Sequence, residues 1–161
     1  MAKAPFVRYG IHPATQTPLF VAELPSFDAL GNVDLLAKPI TLFFAGDTSK
    51  VSPDEIGRVA ETFLNEGVRF VCVWGEDCKR VHDIFDEIYI GGGTEPYNFH
   101  VMTSWHHDDS FGEALWFFLN CAHVDEEIDG AASFAVRIGD PTGSAPIGEA
   151  IQRIDEFNDL Q

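Results

Sequence analysis

Basic residues are scarce in this chain. Ten Lys and Arg stand against 26 Asp and Glu in 161 residues, giving a net charge of −16 and a pI near 4.4. Such a surface repels nucleic-acid phosphates and anionic lipid, so direct nucleic-acid or membrane binding is not expected, and a basic protein or a cation is the natural complement. Long apolar runs are missing too. No stretch approaches the ~20 residues that cross a bilayer, and the opening segment MAKAPFVRYG lacks the apolar block of a signal peptide, so a cytoplasmic protein is expected. Cysteine is sparse: Cys72, Cys78 and Cys121 are odd in number and lack C-x-x-C spacing, which argues against a disulfide framework or a zinc ribbon. The chain also lacks G-x-G-x-x-G after a strand, G-x-x-x-x-G-K-[ST] and G-x-S-x-G, so the common dinucleotide, nucleoside-triphosphate and hydrolase classes lack their signatures.

What is present is apolar substance: 45% of residues are hydrophobic and 12% aromatic, enough for one substantial core. One domain over residues 1–161 is expected, with an extension at 1–38 and a strand-helix core at 39–161. In the extension, Phe6 to Ile11 and Leu19 to Leu24 are short apolar runs around a turn with two prolines, the pattern of a loose β-hairpin or edge extension. Asp28 to Lys38 holds a short helical turn or none. The core then alternates. Ile40 to Ala45, Arg69 to Trp74, Phe99 to Trp105 and Ser133 to Ile138 are short apolar runs of the kind buried in a parallel sheet.

Each run precedes a helical pattern. Ser52-Pro53-Asp54-Glu55 is a capping box that opens a helix ending near Glu66, before Gly67. Lys79 to Tyr89 carries the stripe Val81, Ile84, Phe85, Ile88, and Gly91 to Gly93 is a connector rather than a phosphate loop, because it follows a helix instead of preceding one. Ser110 to Glu113 is a second capping box. The helix it opens, to His123, is apolar around most of its circumference, as in a helix that is central or sits under a partner. Ser144 and Pro146 open a last helix, with Ile147, Ile151, Ile154 and Phe157 on one face. Successive strand-helix units require right-handed crossovers, which predicts a three-layer α/β/α sandwich around a mostly parallel sheet of four or more strands, flavodoxin-like or Rossmann-like, with an N-terminal β extension.

In such sheets ligands bind beyond the carboxyl ends of the strands. Every predicted strand end carries an acid: Asp47 after the first, Glu76 and Asp77 after the second, Asp108 and Asp109 after the third, Asp140 after the fourth. Gathered on one rim, these carboxylates are candidate ligands for magnesium or manganese, with His106 or His107 as general base. The same residues are also ordinary turn and helix-capping residues, and Asp109 or Ser110 is explained that way. Cys78 with His82 has the i, i+4 spacing that shares one helix face, which makes Cys78 a candidate nucleophile, although Glu76 and Asp77 oppose a thiolate there.

The stretches MTSWHHDDSFGEALWFFLNCAHVDEE and VRFVCVWGEDCKRVHDIFDE resemble a family of small uncharacterised bacterial proteins that share a W-H-x-D…ALW-F…C pattern. The shared feature is the Trp105 to Asp109 turn plus the Ala114-Leu115-Trp116 helix, within a resemblance spanning about Ile40 to Leu160. It implies a common fold and carries no activity. Two function classes stay open. One is an acidic protein-binding module, such as an immunity or inhibitor protein for a basic partner, with Trp105, Trp116, Asp125, Glu126 and Glu127 as candidate contacts. The other is a divalent-metal-dependent enzyme acting at the strand ends on phosphorylated or nucleotide substrates. Homo-oligomerisation is open on the sequence.

Overall fold

A computed structural model of the chain describes residues 6–30, 35, 37–91 and 97–159, without the side chains of 156–159. Along the chain run β1 (Val7–His12), β2 (Thr17–Leu24), α1 (Phe27–Leu30), β3 (Lys38–Ala45), α2 (Pro53–Asn65), β4 (Phe70–Trp74), α3 (Cys78–Ile90), β5 (Met102–Trp105), α4 (Phe111–Cys121), β6 (Ala131–Ile138) and α5 (Ile147–Asp159). The six strands form one sheet in the order β1-β2-β6-β3-β4-β5, in which only β1 runs antiparallel to its neighbour.

Local chemistry explains the helix starts. The Ser52 hydroxyl accepts the Glu55 N–H at 3.2 Å and Pro53 opens α2. At α4 the capping box is complete: Ser110 Oγ accepts the Glu113 N–H at 3.1 Å, and the Glu113 carboxylate accepts the Ser110 N–H at 3.0 Å. Gly91 caps α3 in the left-handed conformation, while Gly92 and Gly93 of the expected connector lie outside the described residues.

The burial divides by sheet face. Strand residues Leu42, Phe44, Val71, Val73, Phe134 and Val136 pack with α1, α2 and α3 in one cluster. The alternate residues Phe43, Ala45, Cys72, Trp74 and Ala135 pack with α4 and α5 in another. Strands buried on both faces are why these runs are continuously apolar rather than alternating. No helix among the described residues is long and apolar enough to cross a membrane.

Two expectations change. The expected hairpin forms, but β2 is not an edge extension: it pairs in parallel with β6 from Leu19↔Ser133 to Leu24↔Ile138, so only β1 is peripheral on that side. The third core strand is shorter than Phe99 to Trp105. Phe99 lies under the Arg69 guanidinium, 3.7 Å from its ring centroid, and its carbonyl accepts the Tyr89 hydroxyl, so pairing with β4 begins only at Met102.

The hairpin is locked to α4 by His12, which is fully buried. Its Nε2–H donates to the Phe118 carbonyl at 2.7 Å, because a carbonyl only accepts. Its Nδ1 therefore accepts, from the Thr15 N–H at 3.2 Å and the Thr15 hydroxyl at 2.8 Å. Burial is the main cause that lowers the His12 pKa from 6.5 to about 4. A folded-state pKa below the unfolded one means that the unfolded chain takes up the proton first. Stability tied to His12 is therefore complete above about pH 6.5 and falls as pH drops toward about 4, by about 3 kcal/mol over that window. Urea unfolding as a function of pH checks this: His12→Asn should be less stable at neutral pH yet lose less stability on acidification.

Candidate functional site

A cleft of about 800 Å³ opens at the carboxyl ends of β6, β3, β4 and β5, four adjacent strands of the sheet. Its shape follows from backbone crossings. The Gly46 N–H after β3 donates to the Trp74 carbonyl at 3.1 Å, and Gly75 then passes so close that a Cβ on it would lie 2.0 Å from the Gly46 oxygen. The Thr48 N–H and hydroxyl both donate to the Glu76 carbonyl at 3.1 Å, tying the first loop to the second. Arg80 reaches back from α3 to the Val51 carbonyl at 2.7 Å and to Asp77 Oδ2 at 2.8 Å. The turn after β5 is pinned by the His106 N–H on the Val73 carbonyl and by the Trp74 indole N–H on the Asp109 carbonyl, both at 2.9 Å.

The rim acids come together as anticipated, with one exception. Asp47, Glu76, Asp77, Asp109 and Asp140 all line the cleft, with Cys78, Trp105, His106 and His107. Asp108 does not: its side chain is almost fully exposed outside the cleft, 3.9 Å from His107 Nε2. Most of the acids are individually engaged. Asp47 Oδ1 accepts the Ser49 hydroxyl at 2.6 Å and the Ser49 N–H at 2.9 Å, and these bonds hold its carboxyl below the usual carboxylate range. Asp77 holds Arg80, Asp109 holds His106 Nδ1 at 2.7 Å, and Asp140 holds Arg137. Among the described residues no three His, Cys, Asp or Glu side chains converge in a way that would hold a metal ion.

Cys78 begins α3 beneath the cleft floor and is 1% exposed. Burial raises its thiol pKa against the backbone N–H groups that face it, so the thiol form is favoured. His82 turns elsewhere: its ring lies 4.4 Å from that of Trp105, with Asp83 at 2.9 Å and Asp86 at 3.4 Å from its nitrogens. The spacing that placed Cys78 and His82 on one face thus leaves them in different networks.

The candidate partner contacts fall in three separate places. Trp105 is 43% exposed in the cleft wall. Trp116, equally exposed, borders a groove of about 610 Å³ between α4 and α5. Asp125, Glu126 and Glu127 lie after α4, and Glu126 reaches Arg69 at the start of β4, so that group sits at the opposite end of the strands from the cleft.

Three important residues gave little or no warning. Glu23 and Arg137 face each other across β2 and β6, each a lone charge next to the last residue of an apolar strand. That shared position was a usable signal. Arg137, only 6% exposed, donates to Glu23 Oε1 at 2.6 Å, to Ser144 Oγ at 2.9 Å and to Asp140, while Glu23 Oε2 accepts the first N–H of α5 at 3.1 Å. Ser104, whose hydroxyl lies 3.0 Å from His106 Nε2, carries no sequence signal at all.

A family model described as Domain of unknown function (DUF7684) matches residues 19–154. The chain belongs to this family. The match begins in β2, earlier than the Ile40 boundary of the resemblance read from the sequence, and so takes in the strand that flanks β6. DUF7684 membership transfers no activity. No curated protein and no solved structure is significantly similar to the chain.

Proposed function

We propose that the protein is an acidic binding module for a basic protein partner, and that the cleft at the strand ends receives Lys or Arg side chains of that partner. The cleft is lined by five carboxylates and one ammonium group, that of Lys79, which is itself paired with Asp83 at 2.8 Å; Arg80 and Arg137, outside the lining, pair with Asp77 and Asp140, and the acids still outnumber the cations. That imbalance is the observation carrying the reading. The net charge of −16 extends the same field beyond the cleft, where it would steer a basic protein and speed the encounter. Trp105 in the wall is 43% exposed and already has the Lys79 ammonium 5.7 Å from its ring centroid, a place that a partner's cation would compete for. An inhibitor or immunity protein that covers the site of a basic enzyme is the narrow form of this reading.

The two buried clusters, one with α1, α2 and α3 and one with α4 and α5, support a three-layer α/β/α sandwich of flavodoxin-like or Rossmann-like type. The strand order supports the choice of cleft. From β3 the chain advances through α2 to β4, whereas β6 inserts on the other side of β3 and leads to α5. The reversal between β3 and β6 is where open α/β sheets place their ligand crevice, between Asp47 and Asp140.

Titration calorimetry with a hexa-arginine peptide tests the proposal. Binding is expected to weaken by about tenfold or more between about 50 and about 200 mM NaCl, and to weaken at low salt in an Asp47→Asn/Glu76→Gln variant. Asp125→Asn/Glu127→Gln, at the far end of the strands, should bind like the parent. Equal loss in both variants would reduce the effect to net charge and contradict a role for the cleft. Saturable stabilisation by magnesium or manganese, removed in the cleft variant, would point instead to the metal-dependent reading.

A further inference from the structure

Three side chains around the turn after β5 form one hydrogen-bonded line. Asp109 Oδ2 lies 2.7 Å from His106 Nδ1, and His106 Nε2 lies 3.0 Å from Ser104 Oγ. The partners assign the protons. A carboxylate only accepts, so Nδ1 carries the ring hydrogen and Nε2 is left to accept the Ser104 hydroxyl. Acid, imidazole and hydroxyl in that order make a hydroxyl with an adjacent base, and a third group that orients the base.

The surroundings hold this order. His106 is 7% exposed, and its ring lies 4.8 Å from that of Phe117, which limits its rotation. Behind Ser104 the buried Cys72 thiol is pushed up to about 12, chiefly by burial, so it remains S–H and does not compete for the imidazole. Ser104 itself is half-buried on β5, the outermost strand of the sheet, so its hydroxyl is not sealed in the core. The Met102 and His106 N–H groups donate inward to the Arg69 and Val73 carbonyls. The alternation along a strand then turns the Ser104 carbonyl inward to β4 and directs the Trp105 N–H to the open edge, beside the Thr103 carbonyl.

We propose that Ser104, His106 and Asp109 form an acyl-transfer centre that hydrolyses carboxylic esters whose two halves are uncharged or cationic. Ser104 Oγ bonds to the acyl carbon while its proton passes to His106 Nε2, and the Trp105 N–H faces the oxygen that gains charge. The carbon–alkoxy bond breaks, and the departing alcohol takes the proton back from Nε2. Water then adds to the acyl carbon, giving its proton to Nε2. The bond to Oγ breaks and Ser104 recovers that proton, so ester and water become acid and alcohol. Asp109 is a positioning residue that holds the imidazole in the required tautomer. Ser104 lies outside the lining of the acidic cleft that His106 shares, and the net charge of −16 over the whole chain disfavours approach of an anionic ester.

Incubation of the full chain with 4-nitrophenyl acetate, read by nitrophenolate release and by mass mapping of the acetylated peptide, tests this. One acetyl group per chain is expected on Ser104, with slower reaction of the anionic 4-nitrophenyl hydrogen succinate. Ser104→Ala should abolish the adduct, and His106→Gln should slow its formation by about a hundredfold. Asp109→Asn should lower kcat more than KM and remove the far-downfield Nδ1 proton resonance of His106, changes that a purely structural bond would not couple. Thermal melts of each variant separate lost chemistry from lost fold. Should His106→Gln fail to fold, the Ser104→Ala result decides alone, since that change removes a single half-buried oxygen. Acetylation confined to Lys79 or another amine, or Ser104→Ala reacting at the parental rate, would overturn the proposal.

Discussion

Replacing Gly75 with alanine is expected to remove about 4 kcal/mol or more of stability and to lower the melting temperature by about 10 °C, close to the limit for a single substitution. Two costs coincide at this position. The backbone φ is +124°, a region that L side chains rarely adopt, and the added Cβ would sit 2.0 Å from the backbone oxygen of Gly46. Neither atom belongs to a flexible side chain, so the ends of β3 and β4 would have to separate and the cleft would deform. Gly139 provides the contrast. Its φ is +68°, but nothing lies within 4 Å of a built Cβ, so Gly139→Ala should cost only about 1 kcal/mol. Paired thermal melts decide. Equal losses at the two positions would contradict the backbone crossing that shapes the cleft.

Arg137→Ala is the second large effect, with an expected loss of about 2–4 kcal/mol. The guanidinium is buried and joins three partners at the ends of β2 and β6, while Glu23 also receives the first N–H of α5. Removing the cation strands the Glu23 carboxylate in this ring. The range lies below the usual 3–5 kcal/mol for a broken buried pair because the Glu23 side chain is 43% exposed and water screens part of the loss. Arg137→Met should cost less than Arg137→Ala, since it keeps the volume. The double variant Glu23→Gln/Arg137→Met should recover much of the difference, because the half-buried Glu23 charge is gone and the Asp140 carboxylate that also loses its partner is 90% exposed to water. Chemical denaturation of the parent, Glu23→Gln, Arg137→Met and the double variant reads the coupling directly. Independent, additive losses would show that Glu23 and Arg137 do not act as one unit.

The elements whose signals are local were legible from the sequence. The Ser52 and Ser110 caps announced α2 and α4, and the stripe Ile56, Val59, Ala60, Phe63 and Leu64 is the buried face of α2. Continuous apolar runs marked β3, β4 and β6 because all three are interior strands. What periodicity does not encode is pairing between distant segments. The insertion of β6 between β2 and β3 joins residues 114 positions apart on one side and 92 or 93 on the other, and nothing in the strands states it.

The site divides along the same line. A rim of acids followed from assuming parallel strands, and β6-β3-β4-β5 are indeed neighbours, so Asp140, Asp47, Glu76, Asp77 and Asp109 share a cleft. Asp108 and Asp109 were indistinguishable in sequence. Only the position of Asp109 one residue before the α4 cap, with its carbonyl held by the Trp74 indole, turns its carboxylate to His106. Ser104 escaped notice because a serine two residues from a histidine is ordinary in a strand until the turn folds the ring back over it.

The central claim is that the cleft at the strand ends is where this acidic protein meets a cationic group. Backbone amide chemical-shift mapping during titration with hexa-arginine tests it most directly. The expected shifts cluster at Gly46 and Asp47, Glu76 and Asp77, His106 to Asp109, and Gly139 and Asp140, and they fade with added salt. Shifts confined to Asp125 to Glu127, or spread evenly over the acidic surface, would contradict it.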